Sequence, residues 1–259
     1  MEKMTARSNP LMAHIRKLNA DKSYRRSSGE MVCEGPKLLE EALKHGAQVT
    51  TLVQTEDAAL PASLPEGIRR IVVPYELLSY ISDTKTPQKL LFLCQVPALS
   101  PPDKLPKDCY LVLDGMQDPG NVGTIWRTAD AFGAGGLLLL PGCADPYSPK
   151  TIRAGMGASF RLPVWELTLD QLDTLLRESE IPLYATALRD DAQPLGAVSL
   201  RDAAVVIGSE GKGISKDALT LCKRSLKIPM RERCESLNAA VAASVILWEM
   251  AREKSIVSG

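Results

Sequence analysis

A stretch at 118–130, DPGNVGTIWRTAD, carries the first set of groups able to do chemistry. It follows an apolar, strand-like run, YLVLDG at 110–115, and passes through a Pro-Gly turn into a helical pattern. Asn121 is suited to cap that helix, and Ile125, Ala129 and Phe132 share one apolar face. Arg127 lies off that face. A guanidinium in the first turns of a helix can grip a phosphate or steady a developing alkoxide; paired with Asp130 it is a solvated surface group. The second set is IGSEGKGIS at 207–215, where Gly208, Gly211 and Gly213 surround Ser209, Glu210 and Lys212. Such glycines let a ligand lie against the backbone, and they also suit a plain strand-to-helix turn. The third set is IPMRERCESLNAAVAAS at 228–244. Pro229 lacks a backbone donor and ends a strand, and Ser236-Leu237-Asn238 opens an alanine-rich helix; taken alone, this is a core helix capped by Ser236. None of the three has the G-x-G-x-x-G or G-x-x-x-x-G-K-[ST] spacing of dinucleotide and triphosphate loops.

The elements that must position these residues alternate. In the second half, strands are predicted at 110–114, 136–140, 163–167, 182–187, 203–208 and 225–230, and helices near 121–133, 149–158, 169–179, 215–222 and 236–253. Runs such as GLLLL and AAVVIG are apolar throughout, as in a parallel sheet covered on both faces. Ligands of such sheets bind at the carboxyl ends of strands, where all three polar stretches fall. The first half reads as a smaller α/β unit with strands at 31–35, 49–54, 70–74 and 90–96 and helices at 36–46 and 76–82. Three prolines in ALSPPDKLPKD mark 98–108 as a linker. The expected organisation is a basic arm (1–29), a small domain (30–97), the linker (98–108) and a large α/β domain (109–259).

Composition narrows the function classes. The 259 residues are 45% hydrophobic with no long apolar run, so no membrane span is expected. Net charge is zero, but residues 1–29 hold seven basic groups against two acidic ones. A basic arm on a mildly acidic body is a footprint for polyanion binding. The N-terminus lacks the apolar core of a secretory signal; its Arg and Ser content also fits a transit peptide. Six cysteines without C-x-x-C spacing and two histidines argue against a zinc site and for a reducing cytoplasm.

In this order, the three stretches resemble the three motifs of the SpoU/TrmH family of RNA ribose 2′-O-methyltransferases, in the SPOUT class. They match D-P-x-N-x-G-x-I-x-R-T-A, G-x-E-G-x-G-[IL]-S and I-P-M…S-L-N…A, over about 109–254. NPLMAHIRKL (9–18), YRRSSGEMVCEGPKLLEEAL (24–43) and SDTKTPQ (82–88) resemble the substrate-binding domain of rRNA-modifying members, a domain similar to small ribosomal proteins that bind RNA kinks. That match covers the basic arm and argues against a transit peptide. Two positions depart from the family pattern: Ser209, where Asn is frequent, and Lys89, where Gly is frequent.

The resemblance implies an α/β fold in which a SPOUT parallel-sheet domain with a deep trefoil knot follows a small α/β RNA-binding domain. It implies S-adenosyl-L-methionine held by Thr186, Ala187, Leu188, Gly208, Glu210, Gly211, Ile228, Met230 and Leu237. It implies a catalytic neighbourhood of Asn121, Arg127, Glu210, Ser236 and Asn238, and no metal. Arg16, Lys17, Arg25 and Arg26 would meet RNA, most simply large-subunit rRNA, and the enzyme would be a cytoplasmic homodimer. A guanidinium does not give up its proton in proteins. Arg127 is therefore read as gripping phosphate and nascent alkoxide, with the phosphate or water taking the proton. The alternatives are a tRNA 2′-O-methyltransferase and a catalytically inactive RNA-binding ribosome assembly factor; a nicotinamide dehydrogenase lacks its glycine fingerprint.

Overall fold

The computed structural model describes residues 2–61, 64–97, 100–187, 189, 192–231 and 236–257. They divide into two compact units, residues 1–98 with 147–161 and residues 99–146 with 162–259.

The first unit contains β1 (Glu2–Lys3), α1 (Pro10–Ala20), α2 (Lys22–Ser28), β2 (Glu30–Glu34), α3 (Pro36–Lys44), β3 (Val49–Gln54), β4 (Arg69–Val72), α4 (Tyr75–Ile81) and β5 (Leu90–Gln95). Its strands form one mixed sheet in the order β1-β4-β3-β5-β2. Residues 2–29, within the stretch expected as a separate arm, are folded into this unit. Met12, Ile15 and Leu18 line one face of α1 and are fully buried; that apolar stripe offsets the cost of ordering the segment despite its charge. The family-variant Lys89 has φ 62, a left-handed conformation that glycine adopts at little cost, and its ammonium is paired with Asp57.

The second unit contains β6 (Tyr110–Asp114), α5 (Pro119–Ala131), β7 (Gly136–Leu139), β8 (Val164–Glu166), α7 (Leu169–Glu178), β9 (Leu183–Thr186), β10 (Gln193–Pro194), β11 (Ala204–Gly208), α8 (Lys216–Leu221), β12 (Arg224–Lys227) and α9 (Ala239–Val257). The remaining helix, α6 (Pro149–Gly155), belongs to the first unit although its sequence lies between β7 and β8. The reason is visible in its contacts: Ile152 is buried in the cluster of Met31, Cys33, Leu39 and Phe92, and Arg153 donates to Asp83 at 3.0 Å. The proline-rich 98–108 is also not free over its second half. Leu105 is buried, and its N–H donates to the Ser179 hydroxyl at 2.8 Å.

The second sheet runs β10-β12-β9-β11-β6-β7-β8, with every pairing parallel. Its central strands are buried on both faces, as their unbroken apolar runs require. From β6 the chain steps outward through β7 to β8, then returns to build β9, β11 and β12 on the other side of β6. The carboxyl ends of β6 and β11 therefore flank the point where the strand order reverses, which is where open parallel sheets leave a crevice. After β12, on the far side of β9, the chain returns to α9, which packs against α5 and β11. Ala239, Ala240, Ala243, Ile246, Leu247 and Met250 form the buried face of α9.

Candidate functional site

At that reversal, side chains from all three polar stretches meet on one carboxylate oxygen. Glu210 Oε1 accepts from Asn238 Nδ2 at 2.7 Å, from Asn121 Nδ2 at 3.0 Å and from the Ala239 N–H at 3.2 Å. Asn238 Nδ2 also reaches Asn121 Oδ1 at 3.3 Å. Each residue is positioned by its own element. Asp118, not Asn121, caps α5: its Oδ1 accepts the Asn121 N–H at 2.9 Å, which leaves the Asn121 amide to face Glu210. Asn238, not Ser236, caps α9, its Oδ1 accepting from the Ala240 and Val241 N–H groups at 3.0 and 3.3 Å. The Glu210 carboxylate thus sits at the positive end of a 19-residue helix, where negative charge is stabilised.

The turn carrying Glu210 is closed by two backbone bonds, Ser209 N to Gly213 O at 3.2 Å and Gly213 N to Ser209 O at 2.8 Å. Gly208 is needed at its base for lack of space alone, because a Cβ there would lie 2.0 Å from the Gly213 carbonyl carbon. A Cβ on Gly211 would meet nothing within 4 Å.

A cavity of about 530 Å³ opens beside this cluster, within the usual range for ligand sites. Its polar walls include Asp114, Gln117, Asp118, Asn121, Glu210 and Lys212. Asp114 was not singled out from sequence. It is buried, and its Oδ2 accepts the Ser215 N–H at 2.7 Å, tying β6 to the start of α8. An acid closing an apolar strand just before a glycine was the available signal. Near the cavity wall, Cys143 donates its thiol to Leu113 O at 3.2 Å; burial pushes the thiol up to about 11, which disfavours the nucleophilic thiolate near neutral pH. No group of metal-binding side chains occurs among the described residues.

The residues expected at the methyl donor fall at the carboxyl ends of β9, β11 and β12 and before α9. Thr186 closes β9, its hydroxyl bonded to Val206 O at 2.9 Å, and the Ala187 N–H donates to Leu226 O. Gly208 closes β11. Ile228 and Met230 follow β12 half-buried, and Leu237 is exposed. Leu188 lies outside the described residues. Ser236 is exposed two residues before the Asn238 cap, with no contact to Glu210 among those described. Arg127 is exposed on α5, six residues beyond Asn121 and so about 9 Å further along the axis. The structure therefore gathers Asn121, Glu210 and Asn238, and leaves Arg127 outside their hydrogen-bond network.

Among the basic residues expected to meet RNA, Arg16 and Lys17 are exposed on α1. Arg16 stacks on Tyr80, 4.5 Å from the ring centroid, and Lys17 lies 4.2 Å from that of Tyr24. Arg26 is exposed as well. Arg25 is corrected: it is 5% exposed, and its guanidinium donates to Leu18 O and Asn19 O, closing the end of α1. It faces the interior and is unavailable to a polyanion.

Comparison with known proteins agrees with this geometry. Residues 108–248 match the SpoU rRNA Methylase family, and residues 9–91 match the MRM3-like substrate binding domain. The chain is 31% identical to the 23S rRNA (guanosine(2553)-2′-O)-methyltransferase of Bacillus subtilis, over 96% of this chain and 99% of the relative. It is 29% identical to the 23S rRNA (uridine(2479)-2′-O)-methyltransferase of Streptomyces viridochromogenes, over 92% and 88%. An rRNA methyltransferase crystal structure from Sinorhizobium meliloti superposes with a TM-score of 0.85 at 28% identity, covering 97% of this chain and 98% of that one. The methyltransferase AviRb from Streptomyces viridochromogenes, in complex with AdoMet, superposes at 0.83 with 27% identity, covering 95% and 98%. With three motifs closing on one carboxylate at the crevice of an all-parallel sheet, the chain belongs to the SpoU rRNA methylase family of S-adenosylmethionine-dependent RNA ribose 2′-O-methyltransferases, with an α/β fold of the SPOUT class.

Proposed function

We propose that this protein methylates a ribose 2′-hydroxyl in large-subunit rRNA, as the activities of its relatives suggest. The observation that carries the reading is the convergence of Asn121, Asn238 and the first N–H of α9 on Glu210 Oε1, beside a cavity sized for a nucleotide. Ile228, Met230 and Leu237, with main-chain groups at 186–188 and 208–211, would hold the cofactor, which supplies an electrophilic methyl group when bound. The protein's own task is to align the hydroxyl and disperse the charge left as its proton departs. Asn121 and Asn238 keep the Glu210 carboxylate in place, and Ser236 is assigned to the same catalytic neighbourhood. Arg127, exposed and carrying a planar fork of donors, is assigned the RNA phosphate nearest the acceptor ribose. Arg127→Lys keeps the charge and loses the fork; turnover within about threefold of wild type would remove that assignment.

The same reading includes the trefoil knot and a homodimer. Val241 and Trp248, the latter 57% exposed, stand on the outer face of α9, and Phe132 of α5 packs edge-on to Trp248 with centroids 5.8 Å apart. An exposed aromatic-aliphatic face of this kind suits a second copy. Light scattering at micromolar concentration should give twice the 28.1 kDa chain mass, and Trp248→Glu should give one. Arg16, Lys17 and Arg26 on the first unit are the RNA-facing set, and the site of action is the reducing cytoplasm. The decisive experiment maps ribose methylation in total RNA with and without the gene. Loss of one 2′-O-methyl group in large-subunit rRNA supports the reading; an unchanged map, or loss only in tRNA, overturns the rRNA assignment.

A further inference from the structure

The Glu210 carboxylate is used on one side only. Oε1 takes three donors, whereas Oε2 accepts none from the described residues, and the residue lines the cavity beside Asn121. A carboxylate serving only to staple three segments together would be expected to spread those donors over both oxygens. Here all three donors fix one oxygen, and the second is left without a donor among the described residues, on a side chain that lines the cavity. Other acids line the same space but are held differently: Asp114 is buried and accepts the Ser215 N–H, and Asp118 caps α5. The cation on this wall, Lys212, belongs to the same turn as Glu210.

We propose that Glu210 Oε2 is the proton acceptor of the methyl transfer, in place of the phosphate or water expected from sequence. This deepens the assignment made above and rests on it. In the bound substrate the 2′-hydroxyl donates a hydrogen bond to Oε2. As the new oxygen–carbon bond forms and the donor's carbon–sulfur bond breaks with its electron pair staying on sulfur, the 2′-O–H pair passes to the oxygen and the proton passes to Oε2. The products are the methyl ether, a neutral thioether and a protonated Glu210, which then yields its proton to water. A positioned base of this kind contributes about 10²- to 10⁴-fold to a rate.

Glu210→Gln tests the idea, because the amide oxygen can receive the same three donors while the NH₂ replaces the accepting oxygen. The probe is a synthetic hairpin carrying the nucleotide found by the methylation map, made with a 2′-hydroxyl or a 2′-hydrogen at that position. Binding is measured without cofactor. Wild type should prefer the 2′-hydroxyl hairpin by roughly tenfold, the worth of one hydrogen bond to a charged acceptor. Glu210→Gln should lose that preference and, at saturating S-adenosylmethionine, react at least 10²-fold more slowly in a single turnover. Equal wild-type affinity for the two hairpins overturns the proposal even if the variant fails to fold, and so does a variant rate within threefold of wild type. Failure of the underlying assignment would look different, as wild-type protein that transfers no methyl group to the hydroxyl-bearing hairpin.

Discussion

Gly208 and Gly211 lie three residues apart in one turn, and the structure sets opposite outcomes for adding a methyl group to each. At Gly208 the new Cβ would meet Gly213 C at 2.0 Å, Gly213 O at 2.1 Å and Ile214 N at 2.2 Å, all backbone atoms. No rotamer relieves such a clash, so the turn must open by an ångström or more. The minimum loss is the pair of backbone bonds between Ser209 and Gly213, about 1 kcal/mol each. Moving Glu210 also breaks its bonds to Asn121, Asn238 and Ala239, a further cost of about 1.5–3 kcal/mol for a charged acceptor. Gly208→Ala should therefore lower the melting midpoint by at least about 5 °C and abolish S-adenosylmethionine binding in calorimetry. Gly211→Ala, with open space around its Cβ, should melt within about 1 °C of wild type. Cofactor binding by Gly208→Ala at wild-type affinity, or an equal loss in both variants, would refute the argument that close packing at the base of this turn holds the carboxylate in place.

Other outcomes follow from single contacts. Asn238→Ala removes the α9 cap, costing about 1 kcal/mol in thermal unfolding, and should weaken cofactor binding as well, because Glu210 loses its nearest donor. Arg25→Ala should destabilise the protein by about 2 kcal/mol by leaving Leu18 O without its donor, yet leave RNA affinity unchanged below the melting range, whereas Lys17→Ala should weaken RNA binding without altering stability. Cys143 should resist iodoacetamide at pH 7.5; with its thiol pushed up to about 11, the thiolate fraction and hence the alkylation rate should rise about tenfold per pH unit until near that value, as peptide mass mapping would record. Lys89→Gly exchanges left-handed strain for chain entropy and an exposed ion pair, and should raise stability by up to about 1 kcal/mol in denaturant titration.

Much of the large unit was legible because its strands are uninterrupted apolar runs. YLVLD became β6 and AVVIG became β11, whereas the strand expected at 225–230 is β12, Arg224–Lys227, which stops two residues before Pro229. Motif spacing identified Asn121, Glu210 and Asn238, but not how they meet, since their hydrogen bonds span 28 to 117 positions and depend on strand order. The caps were misread for a local reason: asparagine and serine satisfy the same N–H groups, so Asn121 and Ser236 looked as suitable as Asp118 and Asn238. Arg25 was unreadable, because a cation closing a helix and a cation facing phosphate are the same letter. In residues 1–29, the charge excess masks the apolar spacing of Met12, Ile15 and Leu18.

The position of α6 bears on how this protein can be divided. Its residues fall inside the stretch matching the methylase family, yet Ile152 completes an apolar cluster built mainly from β2, α3 and β5. A truncation at the proline-rich segment would leave the N-terminal fragment with an open hydrophobic wound where Ile152, Tyr147 and Phe160 belong, inviting aggregation. Transplanting the front portion onto another catalytic body would then succeed only if the host brought an equivalent helix.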